Sequence, residues 1–575
     1  MSDLAWWMTP PPPADPGFIR SSVYLPMRDG VRIALDVYLP TSLGKDDTVP
    51  AMLWQTRYFR RYRFRPWAEG LGTLLGKMSD IRRFVAAGYA FVAVDVRGTG
   101  ASFGWRDCDN GPEEARDMGE LCDWIVSQPW SDGVIGASGV SYEGSTAEHL
   151  LRSKHPAVKA IATQFSSFDG YDDILRPGGA LNHGFFATWS ALVRAKDANV
   201  EEAWLEANAT DAYKMLATMT LGVAPVDDDP DGALLAEAVA EHARNYDIVN
   251  AYFGREFRDD AEDVVSPAGF LDDIRASGAA VYSWSGWYDG GYANSAIKRW
   301  AALRENGARL LLGPWNHGGG QHVFGDGVMF DVTGELLRFF DHHLRGIEAG
   351  VADEEPLHWF TIGEGWKAGD TWPPVGFEAW NLPLGDGVDT YAVDFTASSG
   401  PGSRWAQANF GGHTIGWPDR AEQDAKLLVY DVAMLDSDVE ITGHARIDLV
   451  MACDSPDTLV KAYLEEVKPD GEIRHITEGQ LVASHRALAD PRWETFGPWP
   501  SHRRADARPL MPGEEVEMTF ALLPISYLAR KGSRLRIALS GADDGIFARV
   551  PLDGPPPVWE VNAAASSVTV PINRR

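Results

Sequence analysis

The hexapeptide Gly139-Val140-Ser141-Tyr142-Glu143-Gly144 constrains the fold more than any other stretch of this chain. It follows the short apolar segment Val134-Ile135-Gly136 and precedes a helical pattern through Ala147, Leu150 and Leu151. A serine between two glycines at a strand-to-helix turn suits a strained elbow, because small neighbours let the backbone close and lift the hydroxyl clear of a sheet. The usual spacing puts glycine two places after the serine, whereas here Glu143 stands there and Gly144 comes one place later. A glycine-rich turn with an incidental serine has the same appearance, so the motif takes its weight from what surrounds it.

Those surroundings alternate strand and helix. Ser22 to Leu39, broken by Arg28-Asp29-Gly30, has the alternating pattern of a hairpin. Ala51-Met52-Leu53-Trp54 and Tyr89 to Val94 are unbroken apolar runs, as in parallel strands covered on both faces. Met118, Leu121, Cys122 and Ile125 make one apolar helical face within Asp117 to Val126. Past Ser166 the chain turns aromatic and helical, with helices expected over Ala203 to Met219 and Ala233 to Tyr246 and no strand between them. The rhythm returns with the strand Ala279 to Trp284, a helix through Ala296, Ile297, Trp300 and Leu303, and the strand Ala308 to Leu312. After a helix over Glu335 to Arg345, short strands follow at His444 to Met451, Thr458 to Val467, Val516 to Leu522 and Arg534 to Leu539. This order predicts an α/β sheet with a helical insertion and a C-terminal all-β sandwich. The expected division is 1–168 and 271–352 for the two parts of the α/β core, 169–270 for the helical cap and 353–575 for the β domain.

An elbow serine is useful only if an acid and a base follow in that order, each in a loop after a later strand. Asp289 follows the strand ending at Trp284, and His317 follows Leu310 to Leu312, with one helix and one strand between them. Ser141, Asp289 and His317 are therefore the expected nucleophile, orienting acid and general base. No metal or organic cofactor is needed for such chemistry, and none is expected.

Lys and Arg number 52 against 82 Asp and Glu, a formal net charge of −30. That field repels phosphates, so neither nucleic acid nor an anionic membrane surface is an expected partner. Three cysteines at unrelated spacings fit neither a disulfide framework nor a zinc site. The start of the chain, Met1 to Trp7 followed by Pro10 to Pro13, lacks the basic and apolar regions of a signal peptide, and the longest apolar run, Phe84 to Val94, is too short to span a bilayer. A cytoplasmic location is expected, and self-association into a homo-oligomer stays open. The one strongly basic run, Arg57-Tyr58-Phe59-Arg60-Arg61-Tyr62-Arg63-Phe64-Arg65, reads first as surface ion pairing.

The chain resembles the cocaine esterase family and its relatives, the X-prolyl dipeptidyl peptidases, α-amino acid ester hydrolases and glutaryl acylases. The resemblance runs in order through Met27-Arg28-Asp29-Gly30-Val31-Arg32, Asp95-Val96-Arg97-Gly98-Thr99-Gly100-Ala101-Ser102, the elbow with Tyr142, Gly286-Trp287-Tyr288-Asp289-Gly290, Gly313-Pro314-Trp315-Asn316-His317 and Phe340-Asp341-His342-His343-Leu344-Arg345-Gly346. It implies an α/β-hydrolase domain, an inserted helical cap and a C-terminal jelly roll of the galactose-binding kind. It also implies an oxyanion hole made by the Tyr58 hydroxyl and the Tyr142 backbone N–H, with Tyr62 as the nearby alternative to Tyr58. The expected substrate is a small ester, with an acylase or an X-prolyl dipeptidyl peptidase acting on amides as the alternative and a catalytically silent binding protein as a remote one. The α-amino acid ester hydrolases hold an ammonium with carboxylates near the acid, where this chain has Gly290-Gly291-Tyr292. A glutaryl acylase would need a cation for its acyl group, and an arginine of the run beside Tyr58 is the residue considered for that role.

Three rival motifs are near misses. Gly98-Thr99-Gly100-Ala101-Ser102-Phe103-Gly104 has its third glycine one place late for a dinucleotide loop. Leu71 to Met78 lacks the leading glycine and the final hydroxyl residue of a phosphate loop. His317 and His322 have no partners that would make a metal site.

Overall fold

The computed structural model describes residues 17–72, 77–208, 211–261, 263, 265–319, 330–400, 402–407 and 419–575. Ten strands form its central sheet: β1 (Phe18–Pro26), β2 (Arg32–Pro40), β3 (Val49–Thr56), β4 (Ala90–Asp95), β5 (Ser131–Val140), β6 (Val158–Gln164), β7 (Ala280–Gly286), β8 (Arg309–Gly313), β9 (Leu357–Thr361) and β10 (Gly365–Gly369). Their spatial order is β1-β2-β4-β3-β5-β6-β7-β8-β9-β10. Neighbours from β4 to β9 pair in parallel, and antiparallel pairs stand at both ends.

Both faces of this sheet are apolar for a period-two reason. Along β4, Ala90, Val92 and Val94 enter one core while Phe91 and Ala93 enter the other; along β8, Leu310 and Leu312 face opposite to Leu311. The helices Pro112–Val126 and Tyr292–Leu303 cover the first face with Met118, Leu121, Ile125, Ile297 and Trp300. Lys77–Ala86 and Val332–Arg345 cover the second with Ile81, Phe84, Leu336 and Phe340. Each such side chain, fully buried, contributes about 1.5–3 kcal/mol. The sheet is held between these layers, and its parallel strands deliver their carboxyl ends to one edge.

Between β6 and β7 lies the helical cap, led by the helix His183–Asp197. It contains a strand that the sequence pattern does not reveal, Thr220–Val223, which pairs with Tyr62–Phe64 of the basic run. The C-terminal part is an antiparallel sandwich of an eight-stranded and a four-stranded sheet. Ile447, Leu449, Val568 and Val570 of the larger sheet share one core with Ala462, Leu464, Ile537 and Leu539 of the smaller. The central sheet runs past residue 352, the boundary expected from the sequence, because β9 and β10 add to β8 as further strands. Immediately after β9, Ile362 exchanges backbone hydrogen bonds with Ser526 and Leu528, at 2.9 Å each, so the two domains are joined by main chain as well as by side chains.

Among the described residues no helix is long and apolar enough to cross a membrane. Cys122 and Cys453 are buried free thiols, and Cys108 is a partly buried one.

Candidate active site

Ser141 stands between β5 and the helix Tyr142–His149 with φ 63° and ψ −125°. A residue with a Cβ in this region carries strain of order 1–3 kcal/mol and keeps it only where its surroundings over-determine the turn. Here they do. The Ser141 N–H donates to Gln164 O at 2.9 Å. A Cβ on Gly144 would lie 2.8 Å from Gln164 O and 2.9 Å from Gly139 O, and one on Gly139 would lie 2.5 Å from the Glu143 carbonyl carbon. The tight crossing thus requires glycine at 139 and 144, which explains the late second glycine. Glu143 points aside, and its Oε1 accepts from Thr56 Oγ1 at 2.8 Å.

Asp289 and His317 come together from the loops after β7 and β8. The loops are tied by Trp287 N–H to Gly313 O at 3.0 Å and Tyr288 N–H to Trp315 O at 3.1 Å. His317 Nδ1 donates to Asp289 Oδ2 at 2.8 Å. The Asp289 side chain is fully buried, whereas that of His317 is 23% exposed. Burial raises the Asp289 carboxyl above its ordinary value, with His317 and Arg404 pulling it down. Burial disfavours the His317 imidazolium, but the charge and hydrogen bond of Asp289, with Glu143 beyond, outweigh it and raise the imidazole above its ordinary value. The His317 ring is flanked by Phe165 and Tyr292, at centroid distances of 6.1 and 5.5 Å. Tyr292 and Ser141 line one cleft. Tyr292, which packs on the imidazole and lines the cleft with the serine, is what the two have in common; no hydrogen bond joins them in the structure, and contacts of this kind often close only around substrate.

Tyr58 and Tyr142 line the same cleft, their rings edge-to-face at 6.1 Å. The Trp189 indole N–H donates to the Tyr58 oxygen at 2.9 Å, which leaves the phenol's own proton for another acceptor. Burial pushes the Tyr58 hydroxyl up to about 12, so it remains a donor at neutral pH. Tyr62 is otherwise engaged: it accepts from Lys196 Nζ at 2.8 Å, donates to Glu201 at 3.2 Å, and is not part of the cleft wall. Tyr142 is the first residue of its helix, where a backbone N–H has no intrahelical acceptor.

The chain matches the model of the X-Pro dipeptidyl-peptidase (S15 family) over residues 29–319. The chain belongs to the S15 family. Residues 349–566 match the X-Pro dipeptidyl-peptidase C-terminal non-catalytic domain. A Mycobacterium bovis protein named "Putative serine esterase" is 42% identical over 634 residues, with 99% of each chain covered. The cocaine esterase of a Rhodococcus species is 26% identical over 560 residues, with 91% of each covered. A CocE/NonD family hydrolase from Staphylococcus aureus has the same fold, with a TM-score of 0.70 at 17% identity over 97% of this chain and 94% of that one. This protein is thus an S15 hydrolase with an α/β-hydrolase core and a C-terminal all-β domain.

Around the S15 cleft the structure adds residues that no motif announced. Arg57 lies within 2.6 Å of Asp109, which also holds Arg106 at 2.9 Å and the Tyr246 hydroxyl. Arg106 donates to the Tyr142 hydroxyl at 3.1 Å, and that hydroxyl donates to Glu114 at 2.6 Å. Burial raises Glu114 to about 7. The basic run is ion-paired partly at the surface, as expected, at Arg65 with Glu202, and partly below it, since Arg57 is 1% and Arg60 2% exposed. Arg60 is fastened to Asp36 and Asp95 at 2.8 and 2.7 Å, and Arg61 and Arg65 to Asp36 and Glu202. The folding chain uses these arginines to tie the segment after β3 to β2, β4 and the cap. The Arg106-x-x-Asp109 spacing was the one sequence signal for this network.

The rival motifs resolve in structural terms. The glycine turn after β4 wraps an inward carboxylate: Asp95 accepts from the Ala101 and Arg60 N–H groups, and a Cβ at Gly100 would enter it. Gly291 has no room for a side chain beside the Asp173 carbonyl. His322 and residues 73–76 of the phosphate-loop candidate lie outside the described residues.

Proposed function

We propose that this S15 protein is a serine carboxylic ester hydrolase acting through an acyl-enzyme. The observation that carries the reading is the strained Ser141 elbow opening into a cleft shared with Tyr58 and Tyr292, the Tyr292 ring packing on His317 of the Asp289–His317 pair. Ser141 Oγ attacks the ester carbonyl while His317 Nε2 takes its proton. The tetrahedral oxyanion is met by the Tyr58 hydroxyl and the Tyr142 N–H, a type of interaction worth about 3–4 kcal/mol per donor. His317 passes the proton to the departing alcohol, then draws one from water, whose oxygen attacks the acyl carbon and frees Ser141 and the acid. Asp289 holds the imidazole tautomer and stabilises the imidazolium.

Amide cleavage, as by an acylase or an X-Pro dipeptidyl peptidase, is the rival. A dipeptidyl peptidase must hold its substrate's free ammonium. The carboxylate that lines the cleft, Asp109, is already held by Arg57, Arg106 and Tyr246, which favours the ester. The deciding experiment pairs hydrolysis of short-chain p-nitrophenyl esters with fluorophosphonate labelling of the parent and Ser141→Ala. Turnover and labelling should both disappear in the variant, with a loss of up to about a million-fold. A parent that neither turns over nor labels would make the chain a silent binding protein.

A further inference from the structure

Nine arginines are buried among the described residues, and eight of them have a carboxylate within 3.2 Å. The ninth, Arg255, has none among the described residues. It is 7% exposed and lines the cleft beside Ser141. Its Nη2 donates to the backbone carbonyls of Arg258 and Ala261 at 3.2 and 3.1 Å, while its buried Nε has no partner. A guanidinium cannot shed its proton, so burying it without a counter-ion is costly unless an anion arrives to complete it. The geometry of a flat fork with an unfilled donor suits a carboxylate.

We propose that Arg255 binds a carboxylate carried by the ester substrate. The inference rests on the esterase reading above and names its substrate class. The cleft's own carboxylate, Asp109, is neutralised by Arg57 and Arg106, so an incoming anion meets one open cation. Phe185, Phe186, Trp189 and Tyr252 supply an aromatic wall for the apolar chain that separates ester from carboxylate. The arginines of the basic run do not serve this purpose, since Arg57, Arg60, Arg61 and Arg65 each already hold a carboxylate and Arg63 is exposed outside the cleft.

The test uses two matched pairs on the full-length enzyme. On the acyl side, p-nitrophenyl hydrogen glutarate is compared with p-nitrophenyl pentanoate; on the alcohol side, 4-acetoxybenzoate is compared with phenyl acetate. In one pair the anionic ester should lead in kcat/KM by about 10- to 100-fold. Arg255→Gln should bring that ratio near one, mainly through KM; Arg255→Lys should retain part of it, and Arg63→Gln, an exposed position outside the cleft, should retain all of it. Ratios near one in both pairs for the parent, or a ratio that survives Arg255→Gln, would overturn the inference and leave the esterase standing. If no ester is cleaved and Ser141 is not labelled, the esterase reading fails instead. Calorimetric binding of glutarate then decides the site: binding lost in Arg255→Gln upholds it, and absent or unchanged binding overturns it.

Discussion

At the scale of single residues, the two tyrosines of the basic run separate on contacts that spacing could not distinguish. Tyr58 has its oxygen satisfied by Trp189 and its proton free, whereas Tyr62 is enclosed by Lys196 and Glu201. Tyr58→Phe should therefore lower kcat by about 10²–10³ with little change in KM, while Tyr62→Phe leaves kcat near that of the parent; equal effects would unseat Tyr58 as the oxyanion donor. The pH profile tests the base. His317 must be neutral to accept a proton, and Asp289 raises its pKa above the ordinary value of about 6.5, so the acid limb of kcat/KM should lie above that pH. Asp289→Asn removes the charge, so the limb should move to lower pH while kcat falls by about 10⁴. A limb unmoved by that change would count against His317 as the titrating group.

Elements place these side chains. The elbow is a crossing of main chain over main chain, and its glycines belong to the geometry of β5, β6 and the helix Tyr142–His149 rather than to a consensus spacing. Gly144→Ala should cost about 1–3 kcal/mol of stability, because Gln164 O and Gly139 O are backbone atoms that cannot rotate away. Turnover should fall further than the thermal midpoint suggests, since the shift is borne by Ser141. An alanine variant with both properties intact would show that the crossing has slack. The same logic ties helix Tyr292–Leu303 to the elbow helix: Arg299 donates to Glu148 at 2.8 Å and to the carbonyls of Ser166 and Ser167, which shape the cleft wall.

Across the whole molecule, the cap is clamped between the central sheet and the sandwich. Gly184 N–H bonds Ile546 O at 3.0 Å, Ala548 N–H bonds Leu181 O at 2.9 Å, and Arg258 N–H bonds His502 O at 2.8 Å. Gly178 makes the closest approach, with φ 60° and a Cβ position 2.6 Å from the Gln480 carbonyl carbon. Gly178→Ala should push the cap from the sandwich, lower the thermal midpoint by the equivalent of about 1–3 kcal/mol, and speed hydrogen exchange in both 171–184 and 473–485. Faster exchange in one segment alone would mean that the contact does not couple them. The C-terminal part also holds the loop of the acid through Arg404, whose carbonyl accepts from the Gly290 N–H at 3.2 Å next to Asp289.

The sequence by itself determined the layered α/β core, because apolar runs with period two between amphipathic helices can bury both faces only as a covered parallel sheet. It also determined that Ser141, Asp289 and His317 reach one edge, since residues following parallel strands emerge together. The cap strand Thr220–Val223 and the extra strands β9 and β10 were illegible, for short segments take their state from the partners they pair with. The fate of the arginines was decided only by the tertiary structure. Arg57 and Arg255 are the same residue type in the same composition, and what distinguishes them is whether a carboxylate distant in sequence arrives beside them: Asp109 and Asp197 reach Arg57, and none among the described residues reaches Arg255.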